Sequence, residues 1–286
     1  MTAAGVIVRV TLRECLRRRV LVVVVVLTLA FLALYAVATH FAFSTINRAE
    51  VRQGGTLVDA HALAGATLVG LAMFATLFLG AVLAVFLTFN AIRGDAEQGL
   101  LQPIVVRPIG RTVFVAARFG AACGLCVAYT ALVYGASVVI TGLEGGWWPD
   151  HVVLPGAALA GAVCILAALS LLGSVYMSTI ANGIAVLMIY GAGLVSGLLG
   201  QIGYALPSER LQQIGRDASW ALPFDALYQA GLHALTADTS GFTGVIVHLG
   251  PLGGAQGAGP LLGVWAVAYG AVVLAATAVG LQRRDL

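Results

Sequence analysis

Apolar residues in this chain come in long blocks, separated by short polar stretches. Six blocks run over about 20–43, 63–91, 112–141, 152–175, 180–202 and 261–281. A helix crossing a hydrocarbon core of about 30 Å needs about 20 mostly apolar residues, and each block meets that demand. The pattern predicts an all-α polytopic membrane protein with six transmembrane helices. The first block is too long for a removable signal peptide and lacks its small-residue cleavage site. No long-period repeat is visible, so residues 1–286 read as one transmembrane domain.

Composition narrows the class. Hydrophobic residues make up 60% of the chain and charged residues 9%, where soluble domains carry about 25% charged. All 15 basic residues are arginine. Without lysine there is no P-loop, whose lysine must reach the nucleotide phosphates. If ATP drives this protein, another chain hydrolyses it.

The arginines also predict orientation, because cytoplasmic loops are enriched in them. A cytoplasmic N-terminus gathers Arg9, Arg13, Arg17, Arg18, Arg19, Arg93, Arg107, Arg111, Arg283 and Arg284 on one side. Only Arg48, Arg52, Arg210 and Arg216 fall on the other, with Arg118 inside the third block. Arg9, Arg13 and Arg17 recur every four residues and would stripe one face of a helix lying in the cytoplasmic interface. The connection 141–151 has no arginine and offers Trp147 and Trp148 to the opposite interfacial belt. The turn at 176–179 is tight, whereas the external connection 203–260 is long and broken by Pro207, Pro223 and Pro251.

Candidate chemistry inside the blocks is thin. The five histidines are scattered, with no HExxH pair, so no metal or hydrolase site is indicated. Cys123 and Cys126 form a CxxC inside an apolar helix, where free cysteine behaves as a small hydrophobe. The blocks contain no Asp or Glu. That disfavours an ion-coupled secondary transporter, which keeps an ionisable residue within the membrane. Arg118 can snorkel to the nearer surface. Gly120 with Gly124, and Gly193 with Gly197, are GxxxG pairs that let helices approach closely. Ser170, Ser174, Asn182 and Ser196 are polar groups that could meet a cargo, among walls that suit a hydrophobic or amphipathic one.

The polar stretch NAIRGDAEQGLLQPIVVRPIGR, residues 90–111, stands apart. Pro103 can open a short helix, and Pro108 ends it by pushing the preceding residue out of the α region. The outcome is a short cytoplasmic helix exposing Ile104, Val105 and Val106 as a docking element for a soluble partner. The spacing acidic-x-Glu-x-Gly, then Pro-Ile-x-Arg, resembles the signature of type-two ABC exporter permeases. Asp95, Glu97, Gly99, Leu101, Pro108, Ile109 and Arg111 fall on its positions, and Arg118 falls where that family often has lysine. Leu100, Gly110 and the extra Pro103 depart from it. The tail LQRRDL and the stretch WALPFDALY are also similar to that family.

The resemblance implies a permease subunit, not an enzyme and without a cofactor of its own. ATP and magnesium belong on a separate ABC ATPase subunit, and a second permease chain completes the transporter. Coupling to the ATPase falls to Arg93, Asp95, Glu97, Gly99, Pro103, Ile104, Val105, Pro108 and Arg111. The long external loop is expected to form re-entrant helices, with Trp220, Pro223, Phe224 and Asp225 as the external gate region. Arg-only basic usage with abundant Ala, Gly and Val suggests a GC-rich bacterium, so the expected location is the bacterial inner membrane, with both termini cytoplasmic. The alternatives are a secondary transporter and a membrane-embedded scaffold or enzyme not driven by ATP.

The topology is open to direct test. In sealed cells, an impermeant thiol reagent should modify cysteines placed at Glu144 or Gly254 and spare one at Gln98. Modification at Gln98 would reverse the orientation.

Overall fold

The computed structural model describes residues 19–53, 59–88, 111–206, 208–235, 237, 259 and 261–283. The expected N-terminal interfacial helix and the short helix after Pro103 lie outside the described residues. Eight helices are described: α1 (Arg19–Gln53), α2 (Ala60–Thr88), α3 (Arg111–Gly145), α4 (Val153–Tyr176), α5 (Thr179–Ala205), α6 (Glu209–Ala221), α7 (Pro223–Ala234) and α8 (Leu262–Gln282). No strand occurs among the described residues. Six of the helices, α1 to α5 and α8, are long and apolar enough to cross a membrane. They match the six apolar blocks, and the chain is a helical membrane protein by that criterion.

The helices outrun their blocks most at α1 and α3. α1 continues through the polar INRAEVRQ stretch, and α3 runs on to Gly145. Hydrophobicity sets where a span leaves the bilayer, whereas a helix continues until its backbone bonding is interrupted. The α3 extension meets the end of the first apolar block in a 2.9 Å contact between His40 Nδ1 and Glu144 Oε2. Both side chains are exposed, so the pair contributes at most about 1 kcal/mol.

Burial identifies the centre. In α4, 72% of the span is buried inside the bundle, and in α2 61%, against 17% for α1 and 22% for α5 and for α8. α4 touches α2, α3, α5, α7 and α8, and its sequence GAALAGAVCILAALS explains why. Small side chains let several neighbours come close to one axis. Leu159, Ala162, Val163, Leu166 and Ala167 form the core with Val69, Met73, Leu77 and Ala81 of α2. The outer helices expose large apolar side chains such as Val22, Leu34, Leu132, Met188 and Val267, as lipid-facing surfaces require.

Most polar side chains described within the spans bond to helix backbone or to each other. Thr28, Thr39, Thr76, Thr88, Thr130, Thr141 and Thr277 each donate to the carbonyl four residues back. Two hydroxyl pairs tie α1 to α3: Thr28 with Tyr129 at 2.7 Å and Tyr35 with Thr141 at 2.6 Å. Asn182 Nδ2 donates to the Ser170 carbonyl at 2.8 Å, joining α5 to α4. Ser174 and Ser196 donate to carbonyls three residues back. Of the polar residues considered for cargo contact, Asn182 joins two helices and Ser174 and Ser196 bond within their own, while the fully buried Ser170 hydroxyl and Asn182 Oδ1 have no hydrogen-bond partner. The Arg118 guanidinium lies over the Phe114 ring, 5.4 Å from its centroid, a cation–π contact one turn from its own Cα.

Trp147 departs from expectation. Its indole turns inward and stands against Gly65 of α2, while Trp148 is exposed. A belt residue needs an accessible ring, and Trp147 instead fills a gap that only a glycine leaves. Phe43 of α1 sits on Gly145 in the same way and stacks on His61, with centroids 5.4 Å apart.

Cys123 of α3 and Cys164 of α4 bring their thiols into hydrogen-bond contact. With a protease site inserted at 146–152, copper–phenanthroline oxidation should keep the two halves together on a non-reducing gel. Cys164→Ala should let them separate. Separate halves in the oxidised wild-type chain would contradict the α3–α4 packing.

Candidate functional site at the α6–α7 hairpin

After α5 the chain reverses and folds back upon it. Leu211 and Gln212 of α6 face Gly203, and Gly215 faces Gly200. The order is antiparallel and the approach close, since a methyl on Gly215 would stand 2.7 Å from the Gly200 Cα. Gln212 Nε2 donates to the Gly203 carbonyl at 3.0 Å, beside the Ser208 N–H that donates to the same oxygen at 2.9 Å, so both close the end of α5. No side chain of α6 is fully buried. It serves as a strut along α5.

At Leu222 the direction changes again. Pro223 occupies the first turn of α7, where its missing N–H costs nothing and its fixed φ suits a helix start. The residue before a proline is pushed out of the α region, and Leu222 has φ −127° and ψ 72°. This is the break between the two helices. α7 then runs along α4, with Leu227 at Gly161 and Gly231 at Ala158 and Pro155. It ends where the Asp150 N–H donates to the Leu235 carbonyl at 3.3 Å. α6 and α7 therefore make a helical hairpin whose apex reaches the level of Gly193. Along α5 from Leu206, that is a depth of about 20 Å at about 1.5 Å per residue.

The apex brings a carboxyl, an amide and two phenols together. Phe224 is fully buried with its ring on Gly193, and it stacks on Tyr190 with centroids 6.2 Å apart. Asp225 is 3% exposed and fills the space beside Gly197. A methyl there would stand 2.8 Å from Asp225 Oδ2 and 2.9 Å from Gln229 Nε2. The Gln229 amide, one turn on, donates to the Asp225 carboxylate. Asp225 Oδ1 has no hydrogen-bond partner, nor does the buried Tyr190 hydroxyl. Burial pushes the Asp225 carboxyl up to about 7, and the Gln229 bond only partly offsets it. Burial, with the neighbouring Asp225 carboxylate, also raises Tyr228.

Of the four residues expected at the external gate, the hairpin brings Pro223, Phe224 and Asp225 together at its buried apex. Trp220 takes another path. It is exposed, and its carbonyl accepts a 3.1 Å bond from Trp265 Nε1 of α8, whose ring lies 5.5 Å away. Trp220 therefore ties the turn to α8. Tyr190, Tyr228, Gln229 and Trp265 were not expected there. The usable signal was the period on α7, which sets Phe224, Asp225, Tyr228 and Gln229 on one stripe. Arg93, Asp95, Glu97, Gly99, Pro103, Ile104, Val105 and Pro108 lie outside the described residues, and Arg111 opens α3. Among the described residues no three His, Cys, Asp or Glu side chains converge to hold a metal.

Two glycines on one helix separate the seat from generic effects. Gly193→Val should clash with the Phe224 ring and cost about 1–3 kcal/mol, the usual range for overpacking. Gly191 has open space where a Cβ would go, so Gly191→Val should stay within about 0.5 kcal/mol. Thermal melts in detergent compare the two. Equal melting temperatures would remove the seat from the account.

No family model matches the chain, and no curated protein matches it in sequence.

Proposed function

We propose that the chain is the permease subunit of a two-component ABC exporter of the type-two kind, carrying hydrophobic or amphipathic compounds. ATP and magnesium bind a separate ATPase subunit, and a second permease chain completes the path. The observation that carries this reading is the signature-like segment from Asp95 to Arg111, placed between α2 and α3. Those two helices pack on each other and on the central α4, so force applied to the segment reaches the core directly. In this reading the termini and that segment are cytoplasmic, in a bacterial inner membrane.

The α6–α7 hairpin is then a re-entrant element closing the outer end. Support comes from its packing against α4, α5 and α8, at the end of the bundle opposite Thr88 and Arg111. Non-helical backbone at membrane depth is tolerated only where protein covers it or water fills a cavity. The break at Leu222 meets that condition, with Leu222 packed against the core.

Asp225 favours a second reading, a proton-coupled secondary transporter. The six apolar blocks carry no acidic residue, yet the hairpin delivers a buried carboxylate to their depth. Transport in inverted vesicles separates the two. Inhibition by vanadate with indifference to a protonophore supports the ATP-driven reading, and the opposite pattern supports proton coupling.

Glu97 and Val105 test the coupling role. Glu97→Ala and Val105→Asp should insert normally, yet lose association with the ATPase or its stimulation by cargo. A carboxylate buried without a partner in an interface is costly, so Val105→Asp should have the larger effect. A mere surface pair of Glu97 with Arg93 would contribute only about 0.3–0.5 kcal/mol and leave transport intact. Wild-type activity in both variants at equal expression would contradict the assignment.

A further inference from the structure

We infer that the notch at Gly197 is a proton-binding seat: it holds Asp225 in the neutral state, and loss of the proton releases the apex of the hairpin from α5. The inference builds on the reading of the hairpin as an outer closure, and it adds the ligand that controls that closure.

Geometry carries the argument. A carboxylate can accept about four hydrogen bonds, and Asp225 has the Gln229 amide on it while Oδ1 has no partner at all. Ionised, it would be a charge in a protein interior with almost no compensation, a state that buried acids escape by taking up a proton. Protonated, it is a small polar group of a shape that Gly197 accommodates. The alternative for an ionised Asp225 is to leave, and the hairpin allows it. Leu222 is a break between two short helices, and α6 keeps no fully buried side chain.

Among the described residues, the surroundings supply no counter-charge. α5 presents the phenol of Tyr190, and α7 itself presents Tyr228 beside the carboxyl. Glu209, Arg210, Arg216 and Asp217 of α6 lie on exposed positions. α4 and α2 bring apolar Leu159, Leu166 and Met73 into the same core, and α8 brings Trp265 and Tyr269. His233 lies two turns further along α7. Both nearby phenols are neutral at physiological pH, so they add hydrogen-bonding groups and no positive charge.

The linkage has a definite sign. The seated carboxyl titrates near 7, while a released, solvated one titrates near 3.9. Between these values the released state holds fewer protons, so opening is favoured as pH rises. It should grow about tenfold per pH unit from about 4 to 7 and level off above, where both states are ionised.

Amide exchange of residues 211–232, in the full chain reconstituted in nanodiscs, reads the opening. After correction for intrinsic exchange, the wild-type hairpin should open about tenfold more per pH unit between 4.5 and 6.5. Asp225→Asn should be flat across that range. A wild-type hairpin without the slope, or an Asn variant that keeps it, overturns the inference. In case the Asn variant misfolds, a difference infrared titration of the wild-type chain gives a second reading. A protonated-carboxyl band should disappear with a midpoint near 7, and the absence of such a band overturns the seat. Exchanging sodium for a large organic cation at fixed pH should change nothing. If it alters hairpin exchange, the ligand is a metal cation and the proton assignment is wrong. None of these readouts involves the ATPase, so they stand or fall apart from the ATP-driven reading.

Discussion

Helices in a bilayer gain nothing from hiding apolar surface from one another, because lipid tails are equally apolar. What holds this bundle is close approach, and close approach depends on where side chains are missing. Phe43, Trp147 and Phe224 each rest a ring where a glycine leaves room, on Gly145, Gly65 and Gly193 respectively. The central α4 extends the same logic along its length, with Gly161 and a run of alanines admitting α2, α3, α5, α7 and α8 around one axis. Remove these gaps and the large rings have nowhere to go but into the lipid.

The same device brings chemistry into a place the spans leave bare. Asp225 belongs to a connection, yet Gly197 admits it to the depth of the bundle with one oxygen unpaired. Pro223 and the kink at Leu222 set the angle at which it arrives, and Trp220 anchors the turn to α8 through the Trp265 indole. A connection that places a carboxyl there changes the functional argument. The lack of acidic residues in the apolar blocks no longer weighs against proton involvement, because the hairpin brings one.

Legibility followed the range of the interaction. Span number and order were readable because each depends on about 20 consecutive residues. Helix ends were less so: α1 and α3 continue beyond their apolar blocks, since backbone bonding outlasts hydrophobicity. The GxxxG at Gly193 and Gly197 was visible as a packing surface, but its partner was not. Nothing local in Phe224 or Asp225 points to glycines some 30 residues earlier, because that pairing exists only once two chain reversals have occurred. Trp147 misled for a related reason. Its position beside Trp148 fits a membrane interface, and only the gap at Gly65, far away in sequence, turns it inward.

Everything proposed for the hairpin depends on its apex lying at membrane depth, where Ala221 faces out of the bundle. A spin label at Ala221, in the full chain in nanodiscs, measures this through relaxation by oxygen and by a water-soluble nickel chelate. The account predicts that oxygen, which concentrates in the bilayer, relaxes the label and that the chelate does not reach it. Strong relaxation by the chelate with little by oxygen would place the apex in water and contradict it.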